Sequence, residues 1–344
     1  MGRVKRDAEG AVPPVPTMAD VARAAQVSVM TVSRVLRGAM YVDEGTGEKV
    51  KAAAAKLGYV PNRLAGSLSS RSTAIVAAIV PTIANSLFAD TVQGLSDELG
   101  RRGIQLMLGC SAYDPELENS LISTTVSWRP AGIVAVPVRE NRAELALLPA
   151  RGVPVIEVWD IDSKPVDACV GYSNFQAAYA MTRHLHEQGY RRIAFVRSSR
   201  TGDIRTANRS RGYATAVEEF ELAPGLHFEI DYPLATSGGV IAMRWLLERK
   251  LGLDAVFFSN DIVAIGALYE CRRRRIAVPR NLAIAGFGDF DEASVCVPAL
   301  TTVRVPRYEI GRRAAEMLVA RLDGKSTRSR RVDLGFELVR RESA

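Results

Sequence analysis

At 344 residues, with 47 % apolar and 24 % charged side chains, the chain has the composition of a soluble globular protein of about two or three domains. Its longest apolar run, Ala74 to Val80, is far short of the roughly 18 residues of a bilayer-spanning helix, and residues 1–16 lack an apolar signal stretch. A cytoplasmic protein without a membrane association is therefore expected. The net charge of +7 is uneven: residues 1–71 carry eleven basic side chains against six acidic ones, as phosphate neutralisation by that end would require.

Residues 1–16, with Arg3, Lys5 and Arg6, read as a disordered basic extension. From Thr17 to Arg37 the chain spells two short helices joined by a tight turn, the pattern of a helix-turn-helix. Thr17 and Asp20 make a capping box, and Val21, Ala22 and Ala25 supply a small inward face. Ser28 is a good N-cap for the second helix, which turns Val32, Val35 and Leu36 inward. Its other face gathers Val29, Met30, Ser33, Arg34 and Arg37, a mixture of methyl-reading, hydroxyl and guanidinium groups suited to a major groove. Thr31 and Ser33 suit phosphates. A third helix over Asp43–Leu57 completes a headpiece spanning 17–60, and Gly58 ends it.

The hinge segment 61–72 follows Pro61 and contains Asn62, Arg63, Gly66 and four serines. A helix this short with an internal glycine does not hold alone. Two readings stand: a Ser-rich linker, or a segment that becomes helical on DNA and inserts Leu68 as a wedge into the minor groove.

Beyond residue 73 short apolar runs alternate with amphipathic helices, which predicts an α/β body of two doubly wound parallel subdomains. The first series runs through Ile75–Val80, Gln105–Leu108, Gly132–Val136 and Val155–Val158, with a helix over Asn141–Leu148. The second begins at Ala168–Val170 and continues through Ile193–Val196, Ala255–Phe258 and Leu282–Ala285. The expected boundaries are about 73–160 plus 291–323 for the first subdomain and about 161–290 plus 324–344 for the second. Ligands of such sheets sit at the carboxyl ends of strands, here in the cleft between the two halves. Asn85, Ser86, Trp159, Asp160, Asn260, Asp261 and Asp289 follow strands. Arg205 and Arg209, four apart on a helix, suit an anionic group.

Catalytic signatures such as GxxxxGK[ST], GxSxG and HExxH are absent, so no enzyme, catalytic residue or cofactor is expected. Cys110, Cys169, Cys271 and Cys296 form no CxxC pair. His184 and His186 point to different helix faces and read as surface or interface residues, so no metal site is expected.

The segments MADVARAAQVSVMTVSRVLRG (18–38), LGYVPNRLAGSL (57–68), SNDIVAIGAL (259–268), VPRNLAIAGFGDFD (278–291) and PALTTVRVP (298–306) resemble the lactose-repressor (LacI/GalR) family of bacterial transcription regulators. PVIEVWDIDSKPVDACVGYSNFQAA (154–178) and DLGFELVRRES (333–343) look most like its gluconate-utilisation branch. The resemblance implies an N-terminal all-α helix-turn-helix headpiece on a periplasmic-binding-protein-like body. It also implies double-stranded operator DNA as a partner, a small-molecule effector such as gluconate, and a homodimer, the C-terminal heptad helix of tetrameric members being absent. By position, Val29, Met30 and Arg34 read bases, Ser28, Thr31 and Ser33 hold phosphates, Thr17, Asn62 and Arg63 also meet DNA, and Leu68 is the hinge leucine. Asn85, Ser86, Trp159, Arg205, Arg209, Asn260 and Asp289 correspond to effector positions, with Asp261 capping the helix that follows. Because GFGDFD replaces the commoner Gly-Tyr-Asp-Asp, either Gly288 or Asp289 lines the pocket. Thr46-Gly47 departs from the usual Thr-Arg.

The expectation is a repressor of a sugar-acid operon. Beside it stand a regulator of another carbohydrate pathway, an activator or corepressor-dependent regulator and, against the headpiece, a solute-binding protein.

Overall fold

The computed structural model describes residues 16–36, 42–60, 73–84, 86–139, 142–201, 203–325 and 329–344. The N-terminal extension, Arg37 and the segment 61–72 with Asn62, Arg63 and Leu68 lie outside the described residues. The chain divides into two compact units, Met1–Arg71 and Ser72–Ala344.

In the first unit, α1 (Met18–Ala25), α2 (Val29–Leu36) and α3 (Glu44–Leu57) enclose a core of Val21, Ala22, Ala25, Val32, Val50 and Ala54. Capping accounts for their ends. Thr17 Oγ1 accepts from Asp20 N–H at 3.4 Å while the Asp20 carboxylate accepts from Thr17 N–H at 2.9 Å. Ser28 Oγ accepts from Thr31 N–H at 3.1 Å, Asp43 caps α3 through Thr46 N–H, and Gly58 closes α3 at φ +64°.

The second unit is built on two parallel sheets. The first has the order β11-β5-β4-β3-β1-β2, where β1 is Ile75–Val80, β2 Gln105–Cys110, β3 Gly132–Ala135, β4 Val155–Val158, β5 Ala168–Gly171 and β11 Arg331–Asp333. The second has the order β7-β6-β8-β9, where β6 is Ile193–Ser198, β7 His227–Ile230, β8 Ala255–Phe258 and β9 Ala283–Ala285. Both faces of each sheet are covered, so β1 is apolar throughout: Val76, Ala78 and Val80 enter one core and Ala77 and Ile79 another.

Helices α4 (Ser86–Gly100), α5 (Pro115–Ser127), the short α6 (Ala143–Ala146) and α12 (Arg307–Leu322) belong with the first sheet. Helices α7 (Asn174–Glu187), α8 (Ile204–Glu219), α9 (Thr236–Glu248), α10 (Asp261–Arg273) and the short α11 (Asp291–Val295) belong with the second. A Cβ on Gly311 of α12 would lie 1.9 Å from the Thr91 carbonyl of α4, so that helix pair touches backbone to backbone. The chain passes from the first sheet to the second after β5, returns after β9, and leaves again after β11. An antiparallel pair, β10 (Thr302–Arg304) with β12 (Glu337–Val339), carries the later crossings.

Three features differ from the sequence reading. Ala168–Gly171 and Arg331–Asp333 pair with each other in the first sheet, although both were expected in the second subdomain. Apolar periodicity marks a strand but not its sheet, and here the second lobe begins only with α7. The edge strand β7 was not expected, because only Ile230 of its four residues is buried and HFEI carries no clean alternation. The helix expected over 141–148 is confined to Ala143–Ala146.

Candidate nucleic-acid interface and effector cavity

On the headpiece, α2 turns Val32 fully inward and leaves Val29 at 47 % and Met30 at 64 % exposure. The same helix offers Ser28 and Arg34 as exposed polar groups and Thr31 and Ser33 as half-buried ones, and Thr17 is exposed at the start of α1. Arg23 is engaged by Asp20 at 3.2 Å, whereas Arg34 enters no ion pair among the described residues. Two adjacent bare apolar side chains beside an uncommitted guanidinium are what a major-groove edge requires: methyl contact from one, a bidentate fork from the other.

In the body, the carboxyl ends of β4, β5, β6 and β8 converge on a cavity lined by Phe88, Tyr113, Trp159, Tyr172, Asp203, Arg205, Thr206, Arg209, Ser259 and Asn260. It has about 20 Å³ of free space, room for roughly one water. Trp159 adopts φ +78°, and its main chain presses on β5 at Gly171, where a Cβ would stand 2.7 Å from Asp160 N. The left-handed turn aims the buried indole inward, where its N–H donates to Thr91 Oγ1 at 3.1 Å. Thr91 in turn donates to the Arg307 carbonyl at 2.9 Å. Phe88 packs edge-on against the indole at 4.9 Å, and Tyr172 lies beyond it. Asp160 accepts from Asn174 and Asn208 at 3.0 and 3.2 Å, tying the end of β4 to α7 and α8 of the other lobe.

The two arginines stand differently. Arg205 is buried and committed: it donates to Asp203 at 2.8 Å and to the Pro137 carbonyl at 3.1 Å. Burial opposes ionisation of Asp203, but Arg205 and Arg209 outweigh it and hold the carboxyl below the usual range. Arg209 lies over the Phe287 ring, 4.4 Å from its centroid, and gives one bond to Thr206 Oγ1 at 3.0 Å. Its buried Nε has no acceptor, and the buried Tyr172 hydroxyl likewise has no partner. Desolvation raises the Tyr172 pKa, so the phenol stays protonated and able to donate.

Of the residues expected at the effector site, Trp159, Arg205, Arg209 and Asn260 come together in the cavity. Ser86 is the first residue of α4, next to the lining residues Leu87 and Phe88, and Asn85 lies outside the described residues. Asp289 is not brought to the cavity. At φ +51° its carboxylate turns to Arg304 at 2.6 Å and Arg341 at 2.7 Å, which neutralise it. The cap of α10 is Asn260, whose side chain accepts from Ile262 N–H at 3.0 Å. Asp261 instead reaches across to Phe290 N–H at 2.9 Å and Thr302 Oγ1 at 2.6 Å, because it is wholly buried beneath the 286–290 loop. His184 is buried, not superficial: it shares the α7 face of Met181 and Leu185.

Sequence reasoning missed Phe88, Tyr113, Tyr172, Asp203, Thr206 and Ser259. Only Asp203 left a signal, as the N-cap of α8 accepting from Thr206 N–H at 2.8 Å.

An exposed reading helix and, in the same chain, a two-lobed body around a polar cavity define a ligand-responsive DNA-binding regulator. Residues 17–62 match the family described as bacterial regulatory proteins, lacI family, and residues 182–344 match a periplasmic binding protein-like domain. The chain is 37 % identical to the HTH-type transcriptional regulator GntR of Pseudomonas aeruginosa, over 95 % of both chains. It is 34 % identical to GntR of Escherichia coli, over 94 % of this chain and 97 % of that one. A crystal structure of a LacI-family transcriptional regulator from Silicibacter pomeroyi superposes with a TM-score of 0.89 at 34 % identity, covering 95 % of this chain and 99 % of the other. The protein belongs to the LacI family of transcriptional regulators: it binds DNA through the headpiece and carries an effector-binding body.

Proposed function

We propose that the protein is the repressor of a sugar-acid catabolic operon, acting as a homodimer whose operator affinity is set by gluconate or a close relative held in the Trp159–Arg209 cavity. One observation carries the ligand class: the lining combines Asp203, Arg205 and Arg209, a surplus of one positive charge, with a buried guanidinium N–H and a phenol that lack partners. Such groups are costly unless a ligand satisfies them. A sugar acid supplies a carboxylate for Arg209 and hydroxyls for Tyr172, Ser259 and Asn260. Kinship with two proteins named GntR supports the same class.

With about 20 Å³ free, the cavity admits such a ligand only when the lobes part and then close on it. In a dimer, that closure moves the two first lobes relative to each other and so tightens or loosens the paired hinge segments, where Leu68 enters the minor groove beside Asn62 and Arg63. Val29, Met30 and Arg34 then read bases, and Thr17, Ser28, Thr31 and Ser33 hold the backbone.

Calorimetric titration tests the ligand assignment. Gluconate gives saturable heat and glucose, its uncharged counterpart, binds at least roughly tenfold more weakly. Equal heats for the two, or none for either, would overturn the assignment.

A further inference from the structure

We infer that a second binding site, separate from the cleft, lies at the opposite end of the second lobe and takes a small amphipathic carboxylate. A groove of about 230 Å³ opens there between the last turns of α9 and the approach to β9. Met243, Leu246, Leu247, Leu251, Leu253, Ile276 and Leu282 line it, and the only polar side chains on it are Lys250 and Asn281. A cavity of about 150 Å³ holds benzene, so this one has room for an aliphatic tail of roughly eight carbons.

The groove is held open by its own wall. Lys250 sits at φ +47° and Gly252 at φ +62°, so the chain after α9 turns twice through the left-handed region. Arg192 then pins that turn, donating to the carbonyls of Gly252 at 2.9 Å and Leu251 at 2.7 Å, which keeps the loop from folding into the apolar space.

The rim fixes the sign of the occupant. Lys250, the charged side chain in the lining, is exposed and enters no ion pair among the described residues. Of the acids on the neighbouring helices, Glu270 of α10 is taken by Arg244, Arg273 and Arg274, and Glu248 of α9 is exposed and lies outside the lining. Lys250 and the amide N–H groups of Asn281 are placed to meet a carboxylate while the tail occupies the leucine wall, Asn281 Oδ1 being engaged by Ala277 N–H at 3.2 Å. A second copy related by a two-fold axis is a poor occupant, because it would bring the two Lys250 ammonium groups together.

Sodium octanoate below its micellar concentration is the probe, titrated calorimetrically into the full-length protein, with gluconate titrated in parallel. Saturable heat is expected with octanoate, weakened roughly tenfold or more in Lys250→Glu and in Leu247→Glu and for uncharged 1-octanol, while gluconate heats stay as in the parent. Lys250 is exposed, so its variant folds and keeps the test decisive even if Leu247→Glu does not. Absence of saturable heat, heat unchanged by Lys250→Glu, or heat abolished by saturating gluconate would overturn the site. A halving of molecular mass on adding octanoate would assign the groove to a second copy and overturn it equally. Failure of gluconate to bind leaves the octanoate comparison standing, so the two readings fail separately.

Discussion

Arg205 and Arg209 stand one turn apart on α8, yet the guanidinium of Arg205 is spent on Asp203 and Pro137 while that of Arg209 keeps a buried donor without an acceptor. Their substitutions therefore separate. Arg205→Ala strands a buried carboxylate and is expected to cost about 3–5 kcal/mol in denaturant unfolding. Arg209→Ala gives up the Phe287 contact, the Thr206 bond and part of the field on Asp203, so it costs a smaller amount, about 1–2 kcal/mol, and weakens gluconate binding by roughly 10- to 100-fold, as loss of a charge-assisted hydrogen bond does. Asp261 adds a pH signature. Burial, opposed by its bonds to Thr302 and Phe290, pushes its carboxyl up to about 6. A folded-state pKa above the unfolded value makes the contribution most favourable when the acid is protonated, and stability is lost as pH rises from about 4 through about 6. Relative to Asp261→Asn, the parent should lose about 3 kcal/mol across that window in unfolding midpoints measured stepwise with pH. A flat difference would show that the bonds from Thr302 and Phe290 fully offset burial and leave the carboxyl unshifted.

At the level of elements, local chemistry explains where helices start and stop, and tertiary contact explains what they tolerate. Thr17→Ala removes one half of the α1 capping box and is expected to destabilise the headpiece by about 1 kcal/mol in thermal melts. The capping residues Thr17, Ser28 and Gly58 were legible, because an N-cap hydroxyl and a left-handed glycine act within one turn of their own position, whereas Asp43, read as the start of the third helix, is its N-cap. Strand membership was not. Ala168–Gly171 has the apolar run of any buried strand, and only its pairing with Val155–Val158 on one side and Arg331–Asp333 on the other assigns it to the first sheet. His184 follows the same logic: two residues from His186 on α7, it goes to a different face, and which face is covered depends on packing remote in sequence.

For the molecule as a whole, two lobes joined by repeated crossings enclose the cavity, and in the proposed mechanism their opening and closing changes the grip of the headpiece on DNA. Operator titrations separate the roles. Leu68→Ala should weaken operator binding far more than nonspecific binding, since only the specific complex repays the cost of kinking the duplex. Arg34→Ala should lower operator affinity by about 1–3 kcal/mol and relax the preference at a single base pair in each half-site. Unchanged operator affinity in the Leu68 variant would remove the wedge from the mechanism.

The headpiece helices, the βαβ alternation and the candidate pair Arg205 and Arg209 follow from the sequence alone, because capping, periodicity and i, i+4 spacing are local and each is written within a dozen residues. Tertiary structure decided the remainder: that Asp289 answers Arg304 and Arg341 instead of the cavity, that Asp261 braces a distant loop, and that Tyr172 and Asp203 join Trp159. The hydrogen-bonded pairs among them span 15 to 52 residues of sequence, and no local rule links them. The physical reason is that buried polar groups choose partners by the geometry of the closed fold, where an unpaired charge is costly, and not by their neighbours along the chain.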